Sequence, residues 1–255
     1  MASKTVVALL VCSVLFGAVV HAQDFDFFYF VQQWPGSYCD TRSGCCFPLT
    51  GAPKAVFGIH GLWPNYNDGS YPQSCSSESY DPQDVKDLLA EMDDDWGSLA
   101  CPSSDSENFW NHEWSKHGTC SGMNEHDYFQ AALSLYTTYD ITGALANAGI
   151  KPDGRQYKVE DIQNAISNAL DGHLPGIECN KDDQSNKQLY QVYICVSTDG
   201  STLIDCPVFP SNECTGLVEF PVFDASSYSG SSQSHSSDTS EHSQSSHSEE
   251  ARNDL

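Results

Sequence analysis

Residues 25–34 read FDFFYFVQQW, a run in which aromatic and β-branched side chains fill almost every position ahead of two glutamines. Such a run lacks the alternation of a strand with one wet face, so 24–34 is expected to form a largely buried first strand. Pro35-Gly36 ends it. Working outward, 55–59 predicts a second strand that runs into His60-Gly61-Leu62-Trp63-Pro64 and places His60 at a strand end. Asp81-Pro82 then opens a helix through Val85, Leu88, Leu89 and Met92, with Asp81 as cap and Pro82 at the first helical position. A second helix spans 106–117, capped by Ser106 and stopped by Gly118. Apolar residues recur at helical spacing over 128–139 and 159–170. The segments 188–196 and 202–209 predict a hairpin around Asp199-Gly200, in which Cys195 and Cys206 face each other and pair. Strands, then helices, then strands again, without regular alternation, give the α+β class and a single domain.

The chain has 255 residues with 39% hydrophobic side chains, enough for a core that offsets chain entropy. Its first residues carry Lys4, an apolar run from Val6 to Val20 and the small-residue site Val20-His21-Ala22. This reads as a secretory signal over 1–22, too short for a membrane span, with a retained anchor as the alternative. The domain itself is expected over 23–223. Beyond it, 224–255 is rich in Ser, His, Asp and Glu and cannot bury enough surface to fold, so a solvated tail is expected. Metal capture by His235, His242 and His247 and a sorting role are further readings of that tail, with no second feature behind either. The expected destination is extracellular or vacuolar.

Cys12 leaves with the signal, and ten cysteines remain, an even set that suits five bridges in an oxidising compartment. No C-x-x-C pair exists and Cys45 adjoins Cys46, which argues against structural zinc. The formal charge of −24 disfavours tight or processive nucleic-acid binding. A small cleft of locally positive charge remains compatible with it. Weak binding, rapid turnover and an acidic working pH follow from that balance.

The chemistry concentrates in FWNHEWSKHGTC, residues 109–120, where His112, Glu113, Lys116 and His117 lie among large aromatics. On a helix Glu113 and His117 share a face, as do His112 and Lys116. A zinc-protease reading fails on spacing: His112 and His117 are five apart, about 140° around the helix, and cannot clamp one ion from one face. Taken alone, Glu113 and His117 also fit a plain helix pair worth about 0.2–0.5 kcal/mol. The stretch FGIHGLWPNYNDGSYP, residues 57–72, weakens that reading, because it adds His60 at a strand end with Trp63, Tyr66 and Tyr71. Two histidines from separate segments suit a reaction in which one group accepts a proton and another returns one, because imidazoles titrate in the right range. Lys116 adds a positive charge beside them.

FGIHGLWP and FWNHEWSKHGTC resemble the two active-site segments of the ribonuclease T2 family, and residues 25–223 are similar to its plant S-like members. The resemblance implies an antiparallel sheet core with surrounding helices and cleavage of single-stranded RNA through a 2′,3′-cyclic phosphate, without metal or other cofactor. It matches His117 to the general base and His60 to the general acid. His112 matches a phosphate binder, and Glu113 and Lys116 match the groups that hold the pentacoordinate phosphorus. Trp63 and Tyr71 match the first base site, and Gln33 and Phe109 the second, although Trp63 and Phe109 also suit a core. Asn65 stands where several relatives carry aspartate, which leaves base preference open. The implied bridges are Cys39–Cys45, Cys46–Cys101, Cys75–Cys120, Cys179–Cys214 and Cys195–Cys206. The expected partner is RNA as a transient substrate, with no stable nucleic-acid complex, no membrane association and a monomeric chain. Two other classes stay in view: a catalytically silent storage or defence protein on the same fold, and a self-incompatibility protein, whose relatives are basic and glycosylated where this chain is acidic and lacks an N-x-S/T acceptor.

Overall fold

The computed structural model describes residues 25–102, 105–211 and 214–228. The signal expected over 1–22 lies outside the described residues, as does most of the tail. One sheet carries strands β1 (Phe27–Gln33), β2 (Gly58–Asn65), β3 (Gln156–Lys158), β4 (Gly176–Lys181), β5 (Lys187–Val196) and β6 (Leu217–Glu219) in the order β2-β1-β5-β6-β3, with β4 also paired to β5. All pairings are antiparallel except a single parallel contact between Gln188 and Glu219. Helices α1 (Pro35–Cys39), α2 (Leu89–Asp95), α3 (Glu107–Lys116), α4 (Glu125–Thr138), α5 (Ile141–Asn147), α6 (Val159–Ser167) and α7 (Ala225–Tyr228) complete the α+β domain.

Every residue of β1 is buried, which explains its unbroken aromatic run: the strand is covered on both faces. Phe28 and Phe30 enter the main core with Leu62, Ile194, Tyr128 and Phe129. Phe27, Tyr29 and Val31 point the other way, into a smaller cluster with Trp63, Tyr193 and Cys195. That second face carries the site.

Strand alternation alone would send His60 to the core side with Leu62. The β1–β2 register instead jumps from Val31↔Gly61 to Gln32↔Ile59, so His60 is the extra residue of a β-bulge. The bulge keeps Ile59 and Leu62 in the core while releasing His60 toward the opposite face. A second bulge, between Glu178↔Gln191 and Cys179↔Leu189, makes Tyr190 the extra residue of β5. β2 is a rim strand, and side chains meet outward carbonyls of the strand and of Phe57 just before it: Tyr136 Oη donates to Phe57 O, Trp96 Nε1 to His60 O and Tyr128 Oη to Leu62 O, each at 2.9 Å.

Several elements differ from their sequence readings. His60 lies within β2 rather than at a strand end, because pairing with β1 continues to Asn65. The helix expected from Asp81 starts only at Leu89. The preceding turns close through three-residue hydrogen bonds, Asp84 N to Asp81 O and Leu88 N to Val85 O, and the Asp81 amide is drawn to Glu125. Ser106 does precede α3, but at φ 73° its hydroxyl makes no cap and accepts from Ser98 N instead. The return limb of the Asp199-Gly200 turn forms a single bridge, Val196↔Leu203, because Pro207 and Pro210 cannot donate to a ladder. The packed chain runs past Phe223 to Tyr228, whose ring lies 5.8 Å from Phe223 and 6.2 Å from Phe47. All five implied disulfides are formed. Among the described residues, no helix is long and apolar enough to cross a membrane.

Candidate active site

The two histidines come from different elements and pack against one indole. His60, on the β2 bulge, has its ring 4.9 Å from that of Trp63, and His117, the residue that closes α3, stacks on Trp63 at 5.2 Å. Trp63 is only 8% exposed, so both imidazoles rest against one fixed ring. Its Nε1 donates to Glu113 Oε2 at 2.9 Å, which locks the indole to α3. Glu113 and His117 occupy one face of the helix and are both buried, as their spacing requires, while His112 faces outward and Lys116 is half-buried. Thus the four ionisable groups divide between two faces of the last turns.

The Gly61 position explains part of the motif. A methyl group there would overlap both Glu113 Oε2 and Trp63 Nε1, so the Trp63–Glu113 hydrogen bond lies directly on the strand backbone. Only glycine leaves that space. On the other side of the cleft, Cys75–Cys120 and the Ser74 N to Lys116 O hydrogen bond hold the loop carrying Tyr71 against the end of α3. The Tyr71 ring is 6.4 Å from His117.

His60 is oriented from behind. Two donors, Gln191 Nε2 at 2.7 Å and Tyr193 Oη at 2.6 Å, converge on Glu178 Oε2, and Gln191 therefore presents its carbonyl Oε1 to His60. This network assigns the hydrogen to His60 Nδ1 and turns Nε2 the other way. Burial, followed by the Glu178 charge, raises the Tyr193 phenol well above its ordinary range, which keeps it a donor. Gln191, Tyr193 and Glu178 were not singled out in the sequence. The two glutamines of β5 in an otherwise apolar strand were the available signal, since buried amides are retained where they have partners.

Each histidine lines a cavity of its own. One of about 350 Å³ is lined by His117, Trp63, Asn65 and Tyr71. The other, about 600 Å³, is lined by His60, Phe109, Gln33 and Gln191. Asn65 is buried and spends its amide on Trp63 O at 2.8 Å, leaving its oxygen as the group of interest. Gln33 is 5% exposed, and its Oε1 meets no donor among the described residues. Phe109 is half-buried, with its ring 5.9 Å from His60. Every base-site residue read from the sequence therefore lines one cavity or the other. Among the described residues, no group of three or more His, Cys, Asp or Glu side chains is placed to hold a metal ion.

The family model described as the Ribonuclease T2 family matches residues 25–206. Over 221 residues the chain is 54% identical to the intracellular ribonuclease LX of Solanum lycopersicum, covering 86% of this chain and 93% of that one. It is 52% identical to the extracellular ribonuclease LE of the same plant, over 84% of this chain and 94% of the other. The fold superposes on the crystal structure of RNase NT in complex with 5′-AMP with a TM-score of 0.76 at 53% identity, covering 79% of this chain and all of that one. With both histidine segments, the five bridges and this extent of similarity in agreement, the chain belongs to the ribonuclease T2 family.

Proposed function

We propose that the protein is an endoribonuclease of low base specificity that cleaves single-stranded RNA by transphosphorylation. One observation carries the reading: His117 and His60 pack against one buried indole, and each lines its own cavity. A dinucleotide laid across the two cavities puts its 5′ nucleoside beside His117 and its 3′ nucleoside beside His60. His117 takes the proton from the 2′-hydroxyl, the 2′-oxygen bonds to phosphorus, and the bond to the 5′-oxygen breaks as His60 delivers a proton to that oxygen. The products are a 2′,3′-cyclic phosphate and a free 5′-hydroxyl. Each proton transfer contributes roughly a factor of 10² to 10⁴. Lys116 and His112, on the open side of α3, neutralise the phosphoryl oxygens, and Glu113 holds Trp63 and so the spacing of the two rings. Asn65, Tyr71 and the margin of Trp63 receive the first base, and Gln33 and Phe109 the second. Secretion under the N-terminal signal into an oxidising space suits the five disulfides, and a monomer suffices because both histidines come from one chain. The RNase NT complex with 5′-AMP supports a nucleotide-sized seat on this fold.

The purified protein should degrade RNA at an undiminished rate in excess EDTA, and His117→Ala should abolish cleavage while leaving circular dichroism as in the wild type. Loss of cleavage in EDTA, or full cleavage by a folded His117→Ala protein, would refute the scheme.

A further inference from the structure

The cavity on the His60 side is larger than one nucleoside needs: about 600 Å³, against about 350 Å³ on the His117 side. It continues along β4 and the 41–44 loop. Glu178, opposite Gln191, marks the part behind His60, whereas Lys181 lies three residues further along the strand, about 10 Å away. There the wall changes character. Arg42 and Lys181 line it, both exposed and neither ion-paired among the described residues. In a chain with 11 Lys and Arg against 35 Asp and Glu, two such cations in one cavity stand out from the surface average. The Tyr38 and Tyr190 rings, 6.4 Å apart, line the same cavity, Tyr190 having been turned there by the β5 bulge. Asn180 holds Ser37 O with its amide at 2.7 Å, and its buried Oδ1 meets no donor among the described residues. Negative groups are present too. Glu178, Asp182 and Asp183 line the same cavity, and Asp40 lies near enough to Asp182 and Asp183 for their charges to help raise its carboxyl; Glu178 accepts from Gln191 and Tyr193, and Asp182 from the amides of Gln184 and Asn186.

We propose that this distal half is a third nucleotide subsite: it takes the nucleotide on the 3′ side of the leaving nucleoside, with Arg42 and Lys181 at the second phosphate and the Tyr38–Tyr190 pair as the base platform. The inference rests on the reading of His60 as the acid on the leaving side. It gives an acidic protein a way to prefer a longer strand without a basic surface, since a stacking face and two cations reaching one phosphate act at short range, where the carboxylates of the same wall are engaged by their own donors or screened.

The test uses three oligonucleotides with a single ribose each, so that one bond can break: a ribo-deoxy dinucleotide, the same extended by one deoxynucleotide at its 3′ end, and the same extended at its 5′ end. For the wild-type protein the 3′ extension should raise kcat/KM about tenfold, and the 5′ extension should not. In R42E/K181E that gain should vanish. The reading is the ratio of the extended to the parent substrate within each protein, which cancels differences in folded fraction. Retention of the gain in the double variant, absence of any gain in the wild type, or an equal gain from the 5′ extension would overturn the subsite while leaving the dinucleotide chemistry intact. A wild-type protein that cuts none of the three would overturn the underlying reading as well.

Discussion

At residue 61 there is no room for a methyl group, and the reason lies on another element. A Cβ there would strike both partners of the Trp63–Glu113 hydrogen bond, which fixes the indole against which both imidazoles pack. Gly61→Ala should therefore lower kcat/KM by about 10²-fold, the usual result of a displacement near 1 Å at a reacting centre, while far-ultraviolet circular dichroism stays native. Wild-type activity in the Gly61→Ala protein would show that the fixed ring is dispensable. His60, Glu113 and His117 were legible in the sequence because ionisable residues among large aromatics are unusual wherever they occur. Gly61, Gln191 and Glu178 were not, because each acquires its meaning from a neighbour across the sheet or on α3, and a linear reading does not place those neighbours.

At the scale of elements, the site depends on three junctions: the β2 bulge, the end of α3 and the Cys75–Cys120 bridge between α3 and the loop bearing Tyr71. Removing that bridge with Cys75→Ser/Cys120→Ser should cost about 2–4 kcal/mol in denaturant unfolding. It should also slow cleavage at temperatures where the protein is still fully folded, because the loop and the helix then move independently. Unchanged turnover with lowered stability would confine the bridge to a purely global role. Elements with strong periodicity or apolar density were read correctly, as at β1, α4 and α6. The failures share a cause. The late start of α2, the φ of 73° at Ser106 and the missing strand after Gly200 each follow from a tertiary contact or a proline that overrides local preference. Three-residue strands such as β3 and β6 carry too little pattern to be seen before the sheet that recruits them.

At the scale of the molecule, the acid excess leaves a mark on stability through Glu125. Both of its oxygens accept from the Asp81 amide, at 3.1 and 3.2 Å, fastening the 80–84 segment to α4. Burial pushes its carboxyl up to about 7, against the lowering influence of that amide and with help from Asp84, Asp81 and Glu78. Between 4.5 and about 7 the folded chain keeps a proton that the unfolded chain has released, so stability falls as pH rises through this window. After allowance for solvent screening the loss is about 1–2 kcal/mol. Glu125→Gln should flatten the dependence, as read from urea midpoints at pH 4.5 and 8, and parallel curves for the two proteins would exclude Glu125 as the source. The same acid-favouring trend suits an enzyme whose polyanionic substrate is repelled less as carboxylates neutralise. The rim of the sheet has its own consequence. A peripheral strand with bare carbonyls invites a second chain to pair along it, but His60 and Leu62 of β2, and Phe57 just before it, already spend their oxygens on Trp96, Tyr128 and Tyr136. Those three oxygens are consequently withheld from any chain that approaches this edge, which blunts it for intermolecular pairing.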